Sequence, residues 1–411
     1  MAEPRLAPGP WLRLTALGAA AANAVVVGTG EWGRSHEAAV LGALALSLGV
    51  AAAVWFGHRD RPLLVGMGLA ALAVFGLQVG LGAIVAATDA GFAKGLHVGL
   101  GGLSLALSAV TAALTVRGGV GGLRPFPWRD YVTLTKPRIM VLLLLTAVGG
   151  AFVGAEGAPS LGLLLTLLGG LALACGGASA LNHLLDRDID GYMRRTDRRP
   201  VATGRVAPER ALEFGLALSA LSFVVLASFA NVTAALLAVF GNLFYVVVYT
   251  RYLKRSTPQN IVIGGAAGAV PAVVGYSAAT GDLALPALLL FLIVFYWTPP
   301  HFWALALLIR RDYEAAGVPM LPVVHGERRT AVSIVRYTVL MIGITLLPFL
   351  LGEASWLYLG ASIALGAVFL ALALALLRET TAPRARALFS YSLAYLALLF
   401  VALAVDPVVF A

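Results

Sequence analysis

The 411-residue chain is poor in cysteine and in charge. Cys175 is its only cysteine, so an intrachain disulfide is excluded. Only 12% of the residues are charged, whereas a soluble domain usually carries about 25%. Because 60% of the residues are hydrophobic, the composition leaves little sequence for a water-soluble domain.

Apolar runs that are long enough to cross a bilayer recur along the whole chain. A transmembrane helix needs about 20 mostly apolar residues. Thirteen runs approach or exceed this length, near residues 11–29, 37–56, 62–86, 93–116, 138–154, 160–181, 210–229, 231–249, 259–279, 284–309, 331–351, 355–377 and 387–409. The sequence therefore predicts an all-α polytopic membrane protein with about thirteen transmembrane helices.

The net charge of +9 is unevenly distributed between the loops. If the N-terminus is cytoplasmic, 27 of the 29 lysines and arginines fall on the cytoplasmic side, and only Arg34 and Lys94 lie outside. Basic residues accumulate on that side, so the pattern predicts a cytoplasmic N-terminus and an external C-terminus. The same pattern indicates that the basic residues interact with a lipid bilayer and not with nucleic acid.

The first ten residues resemble neither a cleavable signal nor a transit peptide. This favours a multi-pass protein of a bacterial inner membrane over an organellar protein. Further along the chain, residues 117–137 are polar and rich in glycine and proline, which do not continue a helix. We therefore predict a four-helix membrane domain (residues 1–117), a cytoplasmic linker (118–137) and a nine-helix bundle (138–411).

The first domain contains an internal repeat with one histidine in each unit. His36 and His97 are 61 residues apart, and the Leu-Ala-Leu-Ser of residues 44–47 recurs at 105–108 with the same spacing. In a four-helix bundle, two such imidazoles lie at the same depth and suit the axial positions of haem iron. Alternatively, each histidine marks the start of a helix at the membrane interface.

This domain resembles one half of a haem A synthase. The resemblance lies in residues 25–30, before His36, and in residues 77–82, before His97. It implies haem bound in the N-terminal domain, with a haem-binding or docking role. It also implies haem A synthase or terminal-oxidase assembly proteins as partners.

An acidic motif follows the sixth predicted helix. Asn182, Asp186 and Asp190 are four residues apart, which places their side chains on one face of a helix. Such oxygen ligands suit Mg²⁺, which completes its shell with water and substrate phosphates. Asp188 lies off this face and is given a secondary role. The alternative, a solvated helix end, fits less well because acidic residues oppose the positive charge of the cytoplasmic loops.

Basic residues surround this motif in the sequence and in two other cytoplasmic loops. Arginine forks match phosphate oxygens and neutralise the charge that develops on a leaving diphosphate. The predicted diphosphate-binding residues are Lys136, Arg138, Arg195, Arg199, Lys254 and Arg255. Tyr249 precedes the last two residues, and its ring face can stabilise an allylic cation. The alternative for Tyr249 is an ordinary tyrosine of the interfacial aromatic belt.

The loop after the tenth predicted helix carries the remaining candidates. Pro299 and Pro300 predict a kink or a break in the membrane span, and such sites often line a cavity. His301 follows directly and is predicted to face the acceptor pocket. Asp312 is predicted to supply a ligand for a second metal ion, while Glu314 lies off its four-residue register.

Residues 128–410 resemble the UbiA-type prenyltransferases, and specifically their haem branch, the protoheme IX farnesyltransferases or haem O synthases. The face of Asn182, Asp186 and Asp190 is similar to the first aspartate motif of that superfamily. Residues 193–200, 300–303 and 317–322 point to the haem branch. The resemblance implies a Mg²⁺-dependent transfer of farnesyl from farnesyl diphosphate to a vinyl group of haem B, with Asp186, Asp190 and Tyr249 as catalytic residues.

Two other functions remain open at this stage. One is prenyl transfer to a different aromatic acceptor or to a chlorin. The other is a non-enzymatic haem carrier or assembly factor for a terminal oxidase, for which Asp186 would not be needed.

Overall fold

Long apolar helices account for most of residues 128–410, the part of the chain that the computed structural model describes. Nine helices in this range are long and apolar enough to cross a membrane, which agrees with the nine predicted there. The four predicted helices of residues 1–117, together with His36 and His97, lie outside the described residues.

We number the helices of the described part in chain order. They are α1 (Trp128–Thr135), α2 (Pro137–Gly154), α3 (Leu161–Leu185), α4 (Arg187–Asp190), α5 (Pro208–Phe229), α6 (Val232–Leu243), α7 (Lys254–Ser256), α8 (Asn260–Thr280), α9 (Leu285–Leu308), α10 (Arg310–Ala315), α11 (Leu321–Leu350), α12 (Trp356–Arg378) and α13 (Ala382–Val409). A π-helical segment, Phe244–Leu253, joins α6 to α7, so that these three elements form a single membrane-length helix.

Capping residues in the sequence explain where several helices begin. The side chains of Ser160 and Asn231 accept hydrogen bonds from the backbone N–H groups of Leu163 and Ala234, in the first turns of α3 and α6. Each bond satisfies a donor that the helix itself leaves unpaired. Proline stands in the first turn of α2, α5, α9, α11 and α13, where its missing N–H costs nothing.

The predicted cytoplasmic linker contains a helix in its described part. Residues 128–136 include no glycine or proline, and α1 forms there. Tyr131 and Leu134 on α1 are buried, and the Tyr131 ring packs edge-on against Phe214 at 5.0 Å. The residues just before α2 are therefore fixed on the bundle, which gives Lys136 a defined position.

Glycines allow α2 and α8 to pack with their backbones in contact. A Cβ atom on Gly275 would lie 1.8 Å from the carbonyl oxygen of Ala147, and a Cβ on Gly150 would lie 2.1 Å from that of Ala272. Small residues at helix contacts are the usual means of close packing in membranes. Both helices contribute residues to the wall of the cavity described below, so this contact holds that part of the wall together.

The structure shows no break in α9 at the predicted position, since the helix continues through Pro299 and Pro300. The indole N–H of Trp297 donates to the carbonyl oxygen of Ser392 on α13 at 2.8 Å, which attaches this part of α9 to its neighbour. Neighbouring helices commonly support a proline-containing span in this way. A sharp turn is found instead in α11, where Gly326 has φ 76° and ψ 171°.

Candidate active site

The acidic motif lies where α3 ends. Asn182 and Asp186 are on the same face of the helix, as predicted, and Asn182 Nδ2 donates to Asp186 Oδ2 at 2.8 Å. Asp186 ends α3, and the short helix α4 carries the chain on to Asp190. All three side chains are buried, with 3%, 0% and 0% of their surface exposed. Buried carboxylates require charged or hydrogen-bonding partners.

Lys136 approaches this motif from the connection between α1 and α2. Its backbone is left-handed, with φ 51°, and its Nζ donates to Asn182 Oδ1 at 2.6 Å. Burial lowers the pKa of the Lys136 ammonium well below its ordinary value, and the nearby Arg199 guanidinium lowers it further. The predicted reach of Lys136 to the motif is therefore present in the structure. Arg138 is exposed and, within the described residues, has no contact with the motif.

Arg199 lies in the loop after α4 and contacts the motif. Its Nη1 atom lies 2.8 and 2.9 Å from the two carboxylate oxygens of Asp190, and the Thr196 hydroxyl donates to the Asp190 carbonyl oxygen. Burial raises the pKa of the Asp190 carboxyl, while Arg199 acts in the opposite direction. Arg195 is exposed on the same loop and forms no hydrogen bond within the described part, so its guanidinium remains available for a ligand.

Two further cations approach from α7. Lys254 Nζ donates to Asp186 Oδ2 at 2.6 Å, and this lysine is only 8% exposed. Arg255 instead forms a two-pronged bond with Asp188, at 2.6 and 2.7 Å, and lies 3.7 Å from Asp186 Oδ1. The bond to Arg255 lowers the pKa of Asp188. Arg255 therefore ties α7 to α4, while Lys254 belongs to the buried motif.

The sequence reasoning missed Thr250. This fully buried residue accepts a hydrogen bond from Asn182 Nδ2 at 3.1 Å and donates its own proton to the Tyr245 carbonyl oxygen. The five-residue separation of Thr250 and Tyr245 matches the π-helical winding of Phe244–Leu253. A π-helical stretch in the middle of an apolar span leaves no signature in hydrophobic periodicity, so the sequence offered no signal for it.

The donor set fits a hard divalent cation. Asp186 Oδ1 is buried and has no hydrogen-bond partner, and carboxylate and amide oxygens are the ligands that Mg²⁺ takes from proteins. Asp312, the predicted ligand of a second ion, is half-buried on α10. The described residues contain no cluster of three or more acidic, histidine or cysteine side chains arranged for a metal ion. Asp186, Asp190 and Asp312 therefore do not form one such cluster in the described part of the chain, and the role of Asp312 at a second ion stays a prediction.

A cavity of about 320 Å³ lies between the helices and reaches Lys136, the lysine that bonds Asn182. Lys136 and Tyr249 line it beside the motif, while Leu143, Leu171 and Val270 form part of its apolar wall. The Tyr245 and Tyr249 rings stack with their centroids 5.6 Å apart, and both line the cavity. The cavity thus combines one basic group, Lys136, with a largely apolar lining.

His301 lies beside this cavity. Its ring stacks on Trp297 at 4.2 Å and on Phe389 at 4.9 Å, and its Nδ1 is 2.6 Å from the Ser392 hydroxyl. The same hydroxyl lies 2.6 Å from the Phe389 carbonyl oxygen. Trp297 and Phe302 line the cavity, but His301 is not among the residues that line it.

A family model, the UbiA prenyltransferase family, matches residues 143–403. The chain is 53% identical over 280 residues to the protoheme IX farnesyltransferase of Gloeobacter violaceus, covering 68% of this chain and 92% of that protein. It is 51% identical over 294 residues to the protoheme IX farnesyltransferase of Thermus thermophilus, covering 72% of this chain and 48% of that protein. The chain thus spans about half the length of this relative and of a Roseiflexus relative.

Two solved structures share the fold. A digeranylgeranylglyceryl phosphate synthase has a TM-score of 0.58 and 19% identity, covering 69% of this chain and 99% of that chain. A UbiA homologue from Aeropyrum pernix has a TM-score of 0.53 and 19% identity, covering 64% and 97%. At this identity the structures support the fold alone. The family model and the sequence relatives show that the chain belongs to the UbiA prenyltransferase family and, within it, to the protoheme IX farnesyltransferases.

Proposed function

We propose that this chain is a haem O synthase, which transfers a farnesyl group from farnesyl diphosphate to a vinyl group of haem B and releases diphosphate. The observation that carries the proposal is the match to the Gloeobacter protein over 92% of its length. The site supports it independently, because Lys136 bonds Asn182 of the buried acidic motif and also lines a largely apolar cavity. A prenyl diphosphate has these same two parts.

The acidic motif would hold Mg²⁺, with Asp186 as its first ligand and Asn182 and Asp190 as further ligands. Mg²⁺ would supply electrostatic neutralisation of the diphosphate oxygens as the bond to farnesyl C1 breaks. Asp312 is retained as a candidate ligand for a second ion, which would require α10 to approach the motif. This assignment uses Asp186 Oδ1, which has the Arg255 guanidinium 3.7 Å away but accepts no hydrogen bond within the described residues.

The basic side chains would bind the leaving group. Lys136, Lys254 and Arg199 already lie within hydrogen-bond distance of the motif, and Arg195 is available at its edge. Preorganised cations in a buried site stabilise developing negative charge more strongly than they would in water. We assign Arg255 a smaller part in diphosphate binding, because its guanidinium already bonds Asp188. Arg138 stays a candidate, but its exposed side chain would have to move inward.

The cavity would hold the farnesyl chain and protect the allylic cation. The stacked rings of Tyr245 and Tyr249 line this cavity, as does Lys136. Ring faces attract cations by about 0.5–2 kcal/mol, the larger values applying to desolvated sites. Gly264 supports this arrangement, because a Cβ there would lie 2.3 Å from a ring carbon of Tyr249. We therefore place Tyr249 next to farnesyl C1.

Haem B would approach from the side of α9 and α13, where His301, Trp297 and Phe389 form an aromatic stack. The vinyl group forms a C–C bond to farnesyl C1 as the C1–O bond of the diphosphate breaks. Water then adds to the cation left on the former vinyl group and loses a proton, which gives the hydroxyethylfarnesyl side chain of haem O. We propose that the His301 ring contacts the haem on this side of the bundle.

The motif would face the cytoplasm, in agreement with the distribution of basic residues. The relatives named above are bacterial, and we place the protein in a bacterial inner membrane as a multi-pass protein. Farnesyl diphosphate and haem B are its proposed substrates. Haem A synthase or terminal-oxidase assembly proteins are its proposed partners through the first domain.

Competition between acceptors tests the proposed substrate. Purified protein is incubated with farnesyl diphosphate, Mg²⁺ and equal amounts of haem B and of a quinone-precursor aromatic acid. We expect a prenylated product from haem alone. Prenylation of the aromatic acid alone would assign the chain to another acceptor class, while prenylation of neither would favour the haem carrier.

The N-terminal domain is proposed to hold haem between His36 and His97. Replacement of either histidine by alanine is expected to weaken a bis-imidazole absorption spectrum of the purified protein, because each removes one axial ligand. His58, which stands beside Arg59 and Arg61, provides a matched control, and His58→Ala should leave the spectrum unchanged. If both His36→Ala and His97→Ala keep the wild-type spectrum, this pair does not ligate iron.

A further inference from the structure

Basic side chains hold nearly every oxygen that the acidic motif offers to a metal ion. Lys136 bonds Asn182 Oδ1 at 2.6 Å, and Lys254 bonds Asp186 Oδ2 at 2.6 Å. Arg199 lies within 2.9 Å of both oxygens of Asp190. Only Asp186 Oδ1 has no hydrogen bond. The proposed metal ligands and the proposed diphosphate ligands are therefore paired with one another.

These pairs are difficult to open one partner at a time. Asp186 and Asp190 are fully buried, Lys254 is 8% exposed, and the Arg199 side chain is 14% exposed. A metal ion that took an oxygen from Lys254 or Arg199 would leave a buried cation without a partner. A diphosphate that bound Lys254 or Arg199 would leave the buried carboxylate of Asp186 or Asp190 without its cationic partner. Either outcome is costly in a low-dielectric site.

We propose that the metal ion and the diphosphate enter by an exchange of partners. The divalent cation takes the oxygens of Asn182, Asp186 and Asp190, while the diphosphate takes Lys136, Lys254 and Arg199, so that no buried charge is left unpaired. The two ligands consequently bind with positive coupling, and the cation alone binds weakly. This inference rests on the proposed function, because it adopts the same metal and diphosphate ligands.

Arg199 is the decisive position, because it engages both oxygens of Asp190. Arg199→Gln removes the competing guanidinium and should free this carboxylate. We expect the affinity for Mn²⁺ in the absence of diphosphate to rise by at least about tenfold, within the usual range of coupling between sites. The full chain in detergent is titrated with Mn²⁺, and free Mn²⁺ is followed by electron paramagnetic resonance.

A neighbouring arginine separates partner exchange from general electrostatics. Arg198 is exposed, and its side chain has no contact with the motif among the described residues. Arg198→Gln removes the same charge one residue away and should change the Mn²⁺ affinity by less than about threefold, since exposed charges are screened. Equal gains in the two variants, or an unchanged or weaker Mn²⁺ affinity in Arg199→Gln, would overturn the proposal.

Inorganic pyrophosphate provides the second measurement. Equilibrium dialysis of labelled pyrophosphate against the wild-type protein should show at least about tenfold tighter binding with Mg²⁺ than without it. In Arg199→Gln this ratio should decrease, because one of the exchanging pairs is gone, and an undiminished ratio would contradict the exchange. If Arg199→Gln does not yield folded protein, Lys254→Met replaces it, because it removes the cation from Asp186 Oδ2 and leaves only the neutral Asn182 amide there.

These binding measurements do not depend on the formation of product. A protein that shows the Mn²⁺ gain but never prenylates haem B would retain the exchange and refute the proposed acceptor. A protein that prenylates haem B, while Arg199→Gln shows no Mn²⁺ gain, would retain the function and refute the exchange.

Discussion

Asp186→Asn is expected to lower the rate of farnesyl transfer by roughly 10²- to 10³-fold, the loss typical of removing one electrostatic contact to a developing charge. Asparagine keeps the size of the side chain and one oxygen for Lys254, but it removes the negative charge that would hold Mg²⁺. The loss should appear mainly in kcat. Steady-state release of diphosphate, measured at saturating farnesyl diphosphate and haem B, determines it.

Asp188→Asn is the matched control for this variant. It removes the same charge two residues further on, but Asp188 is exposed and bonded to Arg255 outside the buried motif. Exposed ion pairs usually contribute no more than about 1 kcal/mol, so the rate should stay within about tenfold of wild type. Equal, measurable rates for Asp186→Asn and the wild-type protein would remove Asp186 from the reaction, whereas no diphosphate release from either protein would favour the non-enzymatic carrier.

Gly275→Ala is expected to lower the thermal stability of the protein sharply, by roughly 1–3 kcal/mol or more, as overpacking of a tight contact does. The added Cβ would lie 1.8 Å from the carbonyl oxygen of Ala147, an atom of the backbone that no rotamer change can move. Helices α2 and α8 would have to separate. Thermal denaturation in detergent, followed by the loss of the monodisperse peak, measures the effect.

Gly343→Ala isolates the effect of this contact from that of helix propensity. Gly343 is exposed on α11, and a Cβ there would meet no atom within 4 Å. Alanine favours a helix over glycine by up to about 1 kcal/mol in water, so this variant should be as stable as wild type or more stable. A similar loss of stability in both variants would contradict the close packing of α2 on α8.

Hydrophobic run length and motif spacing predicted much of the described part. The nine spans of residues 128–410 follow from the length of the apolar runs, because the bilayer imposes that length on a helix. The four-residue spacing of Asn182 and Asp186 placed them in contact, and Lys136, Arg199 and Lys254 were selected for their charge. These predictions depend on local geometry or on a single dominant force.

The remaining features depend on contacts between distant segments. Thr250 reaches Asn182 only because the helix before α7 has π-helical winding, and Gly275 matters only because Ala147 lies opposite it. Basic residues that were selected for their charge alone also occupy different environments in the structure. Arg138 lies exposed at the start of α2, and Arg255 bonds Asp188. Helix packing determines which acidic side chain a basic residue contacts. A single sequence does not show that packing.

Mass spectrometry of extracted haem tests the central claim most directly. The wild-type protein is purified, incubated with haem B, farnesyl diphosphate and Mg²⁺, and its haem is extracted and separated by chromatography. We predict a new, more hydrophobic haem whose mass exceeds that of haem B by one farnesyl group and one hydroxyl group. Recovery of unchanged haem B alone, from protein that still binds pyrophosphate and Mg²⁺, would contradict the assignment of this chain as a haem O synthase.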